Sequence, residues 1–265
     1  MLGKLMKHEF KAMFKLYSLM YAIVIMLAVL SRLFQWLEKE FIHNIFMETF
    51  VSFTEGISFA ACFGAVVIWL VVTVLRFRNN LLKDEGYLMN TLPVSTGSLV
   101  WSKLLSSLVL LLLTIFAIFI AVSININSIT WLKEPFDELM ACKNPAFVII
   151  TLVVYLLIAA LSSTSLLFVC LSFGYRSSRN RDLMSIVTYV IIYWLHQVLA
   201  VLVIVATYAI FNPNNFISTL DKLFAQNTPD VMPILLIPAG ILLLVELSVY
   251  VALTTHNLKK HLNLE

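Results

Sequence analysis

Charged side chains make up only 12% of the 265 residues, too few for one broad face of a single sign across the chain. The net charge is +3, and the basic residues sit at the ends of apolar segments. The clustered basic surface that nucleic acid requires is missing, which excludes nucleic acid as a partner. Cysteine is scarce as well. Cys62 and Cys170 lie inside apolar stretches and Cys142 lies in a loop, an odd and scattered set with neither a disulfide framework nor metal-ligand spacing. They read as small packing residues. The glycines are Gly3, Gly56, Gly64, Gly86, Gly97, Gly174 and Gly240, and none begins or completes a G-x-x-x-x-G-K-[ST] phosphate loop. This chain therefore lacks the means to bind ATP in the P-loop manner. His8, His43, His196, His256 and His261 are far apart, and neither H-E-x-x-H nor G-x-S-x-G occurs. With no acid, base and nucleophile set in view, the chain is not expected to be an enzyme, and no catalytic, cofactor or metal residues are assigned.

Apolar residues are what the chain has in excess: 61% are hydrophobic and the mean hydropathy is +0.94. One water-soluble core could not hide that much apolar surface, so lipid is the expected solvent. Spanning about 30 Å of hydrocarbon takes roughly 20 apolar residues. Six stretches qualify, at 16–37, 51–75, 101–122, 146–174, 185–211 and 233–254. The expected fold is all-α, a polytopic membrane protein with about six transmembrane helices. The absence of internal repeats and low-complexity linkers makes residues 1–265 a single transmembrane domain. The first stretch follows lysines, as a secretory signal would, but Leu30-Ser31-Arg32-Leu33 offers no small-x-small cleavage site, so it is read as a retained span.

Orientation follows from lysine and arginine in the connections. With the N-terminus inside, the cytoplasmic set is Lys4, Lys7, Lys11, Lys15, Arg76, Arg78, Lys83, Lys103, Arg176, Arg179, Arg181, Lys259 and Lys260, thirteen of the 18 basic residues. Arg32, Lys39, Lys133, Lys143 and Lys222 fall outside, where the connections lean acidic. Both termini are expected to be cytoplasmic.

Two segments outside the spans are amphipathic. With each residue advanced by about 100°, Lys4, Lys7, His8, Lys11 and Lys15 share one arc of residues 1–15, with Leu2, Leu5, Met6, Phe10 and Met13 on the far side. Such a helix suits the membrane interface, its lysines facing anionic headgroups; the alternative is the ordinary positive flank of the first span. In the connection between the second and third spans, residues 79–92 wind into a short helix. Leu81, Leu82, Leu88, Met89 and Leu92 lie on one side of it, and Asn79, Asn80, Lys83, Tyr87, Asn90 and Thr91 on the other. Glu85 falls in the middle of the apolar arc. Pro93 stops the helix, and Ser95 or Thr96 can cap the next. An exposed apolar stripe needs either the membrane surface or a partner protein to bury it. Asp84 and Glu85 would be repelled by an anionic leaflet, which favours the partner.

The run Leu82-Lys83-Asp84-Glu85-Gly86-Tyr87-Leu88, then Thr91-Leu92-Pro93-Val94-Ser95 and the Ser102-Lys103-Leu104-Leu105 start of the third span, resembles the ABC-2 type permeases of Gram-positive bacteria. The resemblance extends to the six-span layout, the N-terminal amphipathic helix and the outer segment between the last two spans. It implies that residues 79–92 are a coupling helix seated in a groove of a separate ATPase subunit. Leu81, Leu82, Asp84, Glu85, Gly86, Tyr87, Leu88, Met89, Leu92 and Pro93 would make the contact. It further implies ATP and Mg bound by that partner, and a second permease copy or a similar permease completing a dimer. The location would be the cytoplasmic membrane, with antimicrobial peptides, drugs or lipid-like molecules as exported substrates. The other function class is a non-transporting membrane interaction or immunity protein that sequesters a partner.

Ionisable groups inside a bilayer are costly, on the order of 3 kcal/mol at helix centre. His196 in the fifth span and Glu246 in the sixth therefore stand out. They serve either a polar pathway or a satisfied interhelical hydrogen bond. Ala159, Ala160, Ser162, Ser163, Thr164 and Ser165 in the fourth span provide either close helix packing or a substrate-contact surface.

Overall fold

A computed structural model of the chain describes residues 2–40, 44–83, 94–126, 133–142, 144–177, 180–211 and 232–260. Every regular element among them is helical: α1 (Leu2–Glu40), α2 (Ile45–Phe77) prolonged by a π-helical turn (Arg78–Leu82), α3 (Thr96–Ile126), α4 (Lys133–Met140), α5 (Pro145–Gly174), α6 (Arg181–Phe211) and α7 (Met232–Lys260). All but α4 are long and apolar enough to cross a bilayer. The chain is thus an all-α membrane protein with six candidate spans, and each expected apolar run lies within one helix.

Two connections differ from expectation. Residues 2–15 are not a separate element; α1 runs unbroken over 39 residues. Its polar and apolar sides are nevertheless those of the helical wheel, with Lys4, Lys7, Lys11 and Lys15 exposed, Leu5, Met6 and Phe10 partly covered and Met13 buried. Between the third and fourth spans, α4 adds a short exposed helix that carries Glu134, Asp137 and Glu138.

The expected single domain is built as two compact units, residues 1–77 with 101–133, and residues 78–100 with 134–265. In the first, Met13, Tyr17, Met20, Val24 and Ala28 recur every three or four residues along α1. They pack with Cys62, Ala65 and Trp69 of α2 and Leu110 and Ala121 of α3. Three polar tips within this apolar packing find partners on a neighbouring helix, which a membrane interior favours. Trp69 Nε1–H donates to the Ser107 carbonyl at 3.0 Å, Tyr21 O–H to the Leu110 carbonyl at 3.2 Å, and Asn125 Nδ2 to Ser58 Oγ at 2.8 Å. Toward the other end of α1, Gln35 accepts from Arg32 and donates to Glu55, both at 2.7 Å.

In the second unit, α5 packs along α7 and against α6, and α6 also meets α7. The small polar residues of α5 serve this packing. Ser162, Thr164, Ser165 and Ser172 are buried, and the hydroxyls of the last three donate to carbonyls of their own helix, at 3.1 Å to Ala160, 2.8 Å to Ser162 and 2.8 Å to Val169. Short side chains that satisfy themselves in this way let backbones approach without leaving an orphan polar group. Leu166, Val169 and Cys170 then close on Tyr250, and Asn257 Nδ2 donates to Ser172 Oγ at 3.2 Å. At the turn from α5 into α6 the chain comes closer still: a Cβ on Gly174 would lie 2.6 Å from the Ser185 backbone nitrogen.

Candidate functional site

The connection between α2 and α3 is held by definite structures at both ends. α2 ends in the π-helical turn, closed by the Lys83 amide donating to the Arg78 carbonyl at 3.1 Å. Such i+5 turns are rare and concentrate at functional sites. On the other side Ser95 caps α3: its Oγ accepts from the Ser98 amide at 3.3 Å, and its carbonyl accepts from Ser98 Oγ at 2.7 Å. The cap thus falls on the first of the two residues that the sequence offered.

Leu81 and Leu82 do not belong to an exposed stripe. They lie in the π-helical turn with 1% and 2% of their surface exposed, buried by this chain itself. The physical reason is backbone hydrogen bonding: α2 continues through residue 82, so a helix starting afresh at Asn79 does not form. Asp84, Glu85, Gly86, Tyr87, Leu88, Met89, Leu92 and Pro93 lie outside the described residues.

Arg78 anchors this turn within the second unit. Its Nε–H donates to Tyr175 Oη at 2.5 Å and its Nη2–H to Asp182 Oδ2 at 2.7 Å. The guanidinium carbons of Arg78 and Arg181 lie 6.0 and 5.8 Å from the centre of the Tyr175 ring. An exposed ion pair alone contributes little. Here Tyr175 is buried and receives a charge-assisted bond as well as cation–π contact, so the node ties the π-helical turn to the α5–α6 turn. Sequence reasoning used these arginines only for orientation, and Tyr175 and Asp182 carried no signal.

The two intramembrane candidates come together. His196 Nδ1 lies 2.8 Å from Glu246 Oε2 and 3.0 Å from Oε1, joining α6 to α7. Glu246 is buried and His196 partly so. This is an interhelical hydrogen bond between two residues 50 apart in sequence, one of the two readings the sequence left open. Glu246→Leu, which leaves His196 facing apolar surroundings, is expected to destabilise the fold by about 1 to 2 kcal/mol. Glu246→Gln, able to keep a bond to the ring, should stay within about 0.5 kcal/mol of the native chain. Thermal unfolding in detergent checks both, and a Leu variant as stable as the native chain would remove the pair from the packing account.

A further charged group went unnoticed. Glu9 is buried on α1 and forms an ion pair with Lys103 of α3, while its Oε2 lies 3.4 Å from Arg76 Nε of α2. The side chains of Glu9 and Lys103 are only 8% and 6% exposed. The signal was available, because Glu9 falls in the middle of the apolar arc of residues 1–15, opposite the lysines. A carboxylate placed there implies a buried cation.

Among the described residues no three His, Cys, Asp or Glu side chains gather into a potential metal site. The chain matches no family model, no curated protein and no solved structure.

Proposed function

We propose that this chain is the membrane-spanning permease subunit of an ATP-binding-cassette exporter of the ABC-2 type, driven by a separate ATPase subunit that binds ATP and Mg. The observation that carries the reading is the Leu82–Ser95 sequence, with its resemblance to a coupling helix, in the connection between the second and third candidate spans. The π-helical turn and the Ser95 cap support it, because a segment that receives a push needs fixed roots. In this reading nucleotide chemistry belongs to another polypeptide, in keeping with a sequence that has no phosphate loop.

In this reading two permease copies, or this chain and a similar permease, stand over two ATPases in the cytoplasmic membrane of a Gram-positive bacterium. Closure of the ATPases on ATP pushes the connection, tilts the spans and changes access to a path at the permease interface. Antimicrobial peptides, drugs or lipid-like molecules are the substrate classes. Both termini face the cytoplasm, in keeping with the basic residues of alternate connections. A cysteine at Ser177 should then be protected from an outside thiol reagent and one at Asn214 labelled; the reverse pattern overturns this orientation.

Affinity purification of the tagged chain from its native membrane tests the function. Recovery of a stoichiometric protein with a phosphate loop is expected. Its absence would leave the non-transporting interaction protein as the better account.

A further inference from the structure

Glu9 reaches two helices at once, and the positions it reaches are related by the chain. Arg76 is in the last turn of α2, just before the π-helical turn, and Lys103 is in the second turn of α3. They are the two roots of one connection, residues 83–95, and a single carboxylate on α1 holds both. Helix formation gives no reason for a charge at this position. Leu5, Met6, Phe10 and Met13 around it are apolar, and burying a carboxylate is unfavourable unless cations meet it.

We propose that Glu9 is a positioning residue for the α2–α3 connection. Its carboxylate clamps both roots to α1, so that a push on the connection moves three helices together rather than spreading its two roots apart. The clamp rests on the reading of this connection as the segment that meets an ATPase. Its sign follows from the charges. Removing the carboxylate takes away the anion that the two like charges, Arg76 and Lys103, share, which favours their separation.

Spin labels at Asn79 and Ser98, with Cys62, Cys142 and Cys170 replaced by alanine, flank the connection. In the purified chain in lipid nanodiscs, Glu9→Gln is expected to lengthen and broaden the 79-to-98 distance distribution, and Glu9→Asp, which keeps the charge, to do so much less. In the complex with the ATPase, ATP with vanadate should change the spectrum of a label at Ser18 on α1. Glu9→Gln should largely abolish that change, while ATPase recovery stays unchanged. A distance distribution in Glu9→Gln identical to the native one overturns the clamp, whatever the ATPase does. If the native chain recovers no ATPase, the exporter reading falls and the distance measurement still decides the clamp. If Glu9→Gln fails to insert, Lys103→Gln releases the α3 root from the other side, and broadening without the lengthening is expected of it, since no like-charge pair remains.

Discussion

Gly174→Ala is expected to destabilise this protein by about 3 kcal/mol, the upper end of what overpacking a close contact costs. The added Cβ would sit 1.9 Å from Ser185 Oγ, 2.6 Å from its backbone nitrogen and 2.7 Å from its Cα. A flexible side-chain tip could turn away, but backbone atoms cannot. Ser185 is in the second turn of α6, with its Oγ donating to the Arg181 carbonyl at 3.0 Å. Relief requires moving the start of α6 away from the end of α5, which strains the Arg78–Tyr175–Asp182 node at the same turn. Gly64→Ala is the control. No atom lies within 4 Å of a Cβ placed there, and alanine in a helix interior is favoured over glycine by about 0.5 to 1 kcal/mol. Thermal unfolding in one detergent should therefore separate the two variants in opposite directions from the native chain, and coincident midpoints would show that α5 and α6 can part freely.

The spans were legible because the signal is large and local. Twenty apolar residues in a row have few destinations outside a bilayer, but which of them face a neighbouring helix, as Met13, Tyr17, Met20, Val24 and Ala28 do, is decided by packing. Where the helices end was less legible, since backbone hydrogen bonding decides it. At the end of α2 the chain does not stop and restart but widens into a π-helical turn. A wheel drawn at 100° per residue loses its phase there, because i+5 bonding winds more residues into each turn. Leu81 and Leu82 were placed on the stripe of a separate helix beginning at residue 79, though they close the end of α2.

The charged pairs show a second limit. His196 and Glu246 were each conspicuous, being the one acidic or basic residue of the apolar stretches 185–211 and 233–254, and the same penalty that made them conspicuous is relieved when they meet. The energetic argument therefore anticipated a partner without naming it. Glu9 is the harder case. Arg76 and Lys103 lie far along the chain and looked like ordinary basic flanks of spans. Only the carboxylate on the wrong side of the wheel called for them, and only the folded chain brings both to it. Thus periodicity points to a residue that needs a partner, while the choice of partner belongs to helix packing.

In the proposed exporter, Glu85→Ala is expected to leave the chain inserted and folded yet to weaken its association with the ATPase by about 2 to 5 kcal/mol, roughly 30-fold or more in affinity. Glu85 lies outside the described residues, and the argument stands on the sequence. Removing Leu81 and Leu82 from the stripe leaves Leu88, Met89 and Leu92, and on the wheel Glu85 still falls among them. If that face docks in a groove, its carboxylate is desolvated and must meet arginine, lysine or backbone amides of the partner, and truncating it strands those groups. The alternative is that Gly86 interrupts the helix and turns Glu85 to water. Lys83 separates the two, since it lies on the opposite side of the wheel and the docking account gives Lys83→Ala little effect. Quantitative pull-down of the ATPase with both variants reads the difference directly. Selective loss with Glu85→Ala supports docking through this face, and equal, near-native recovery would take Glu85 out of the docked surface.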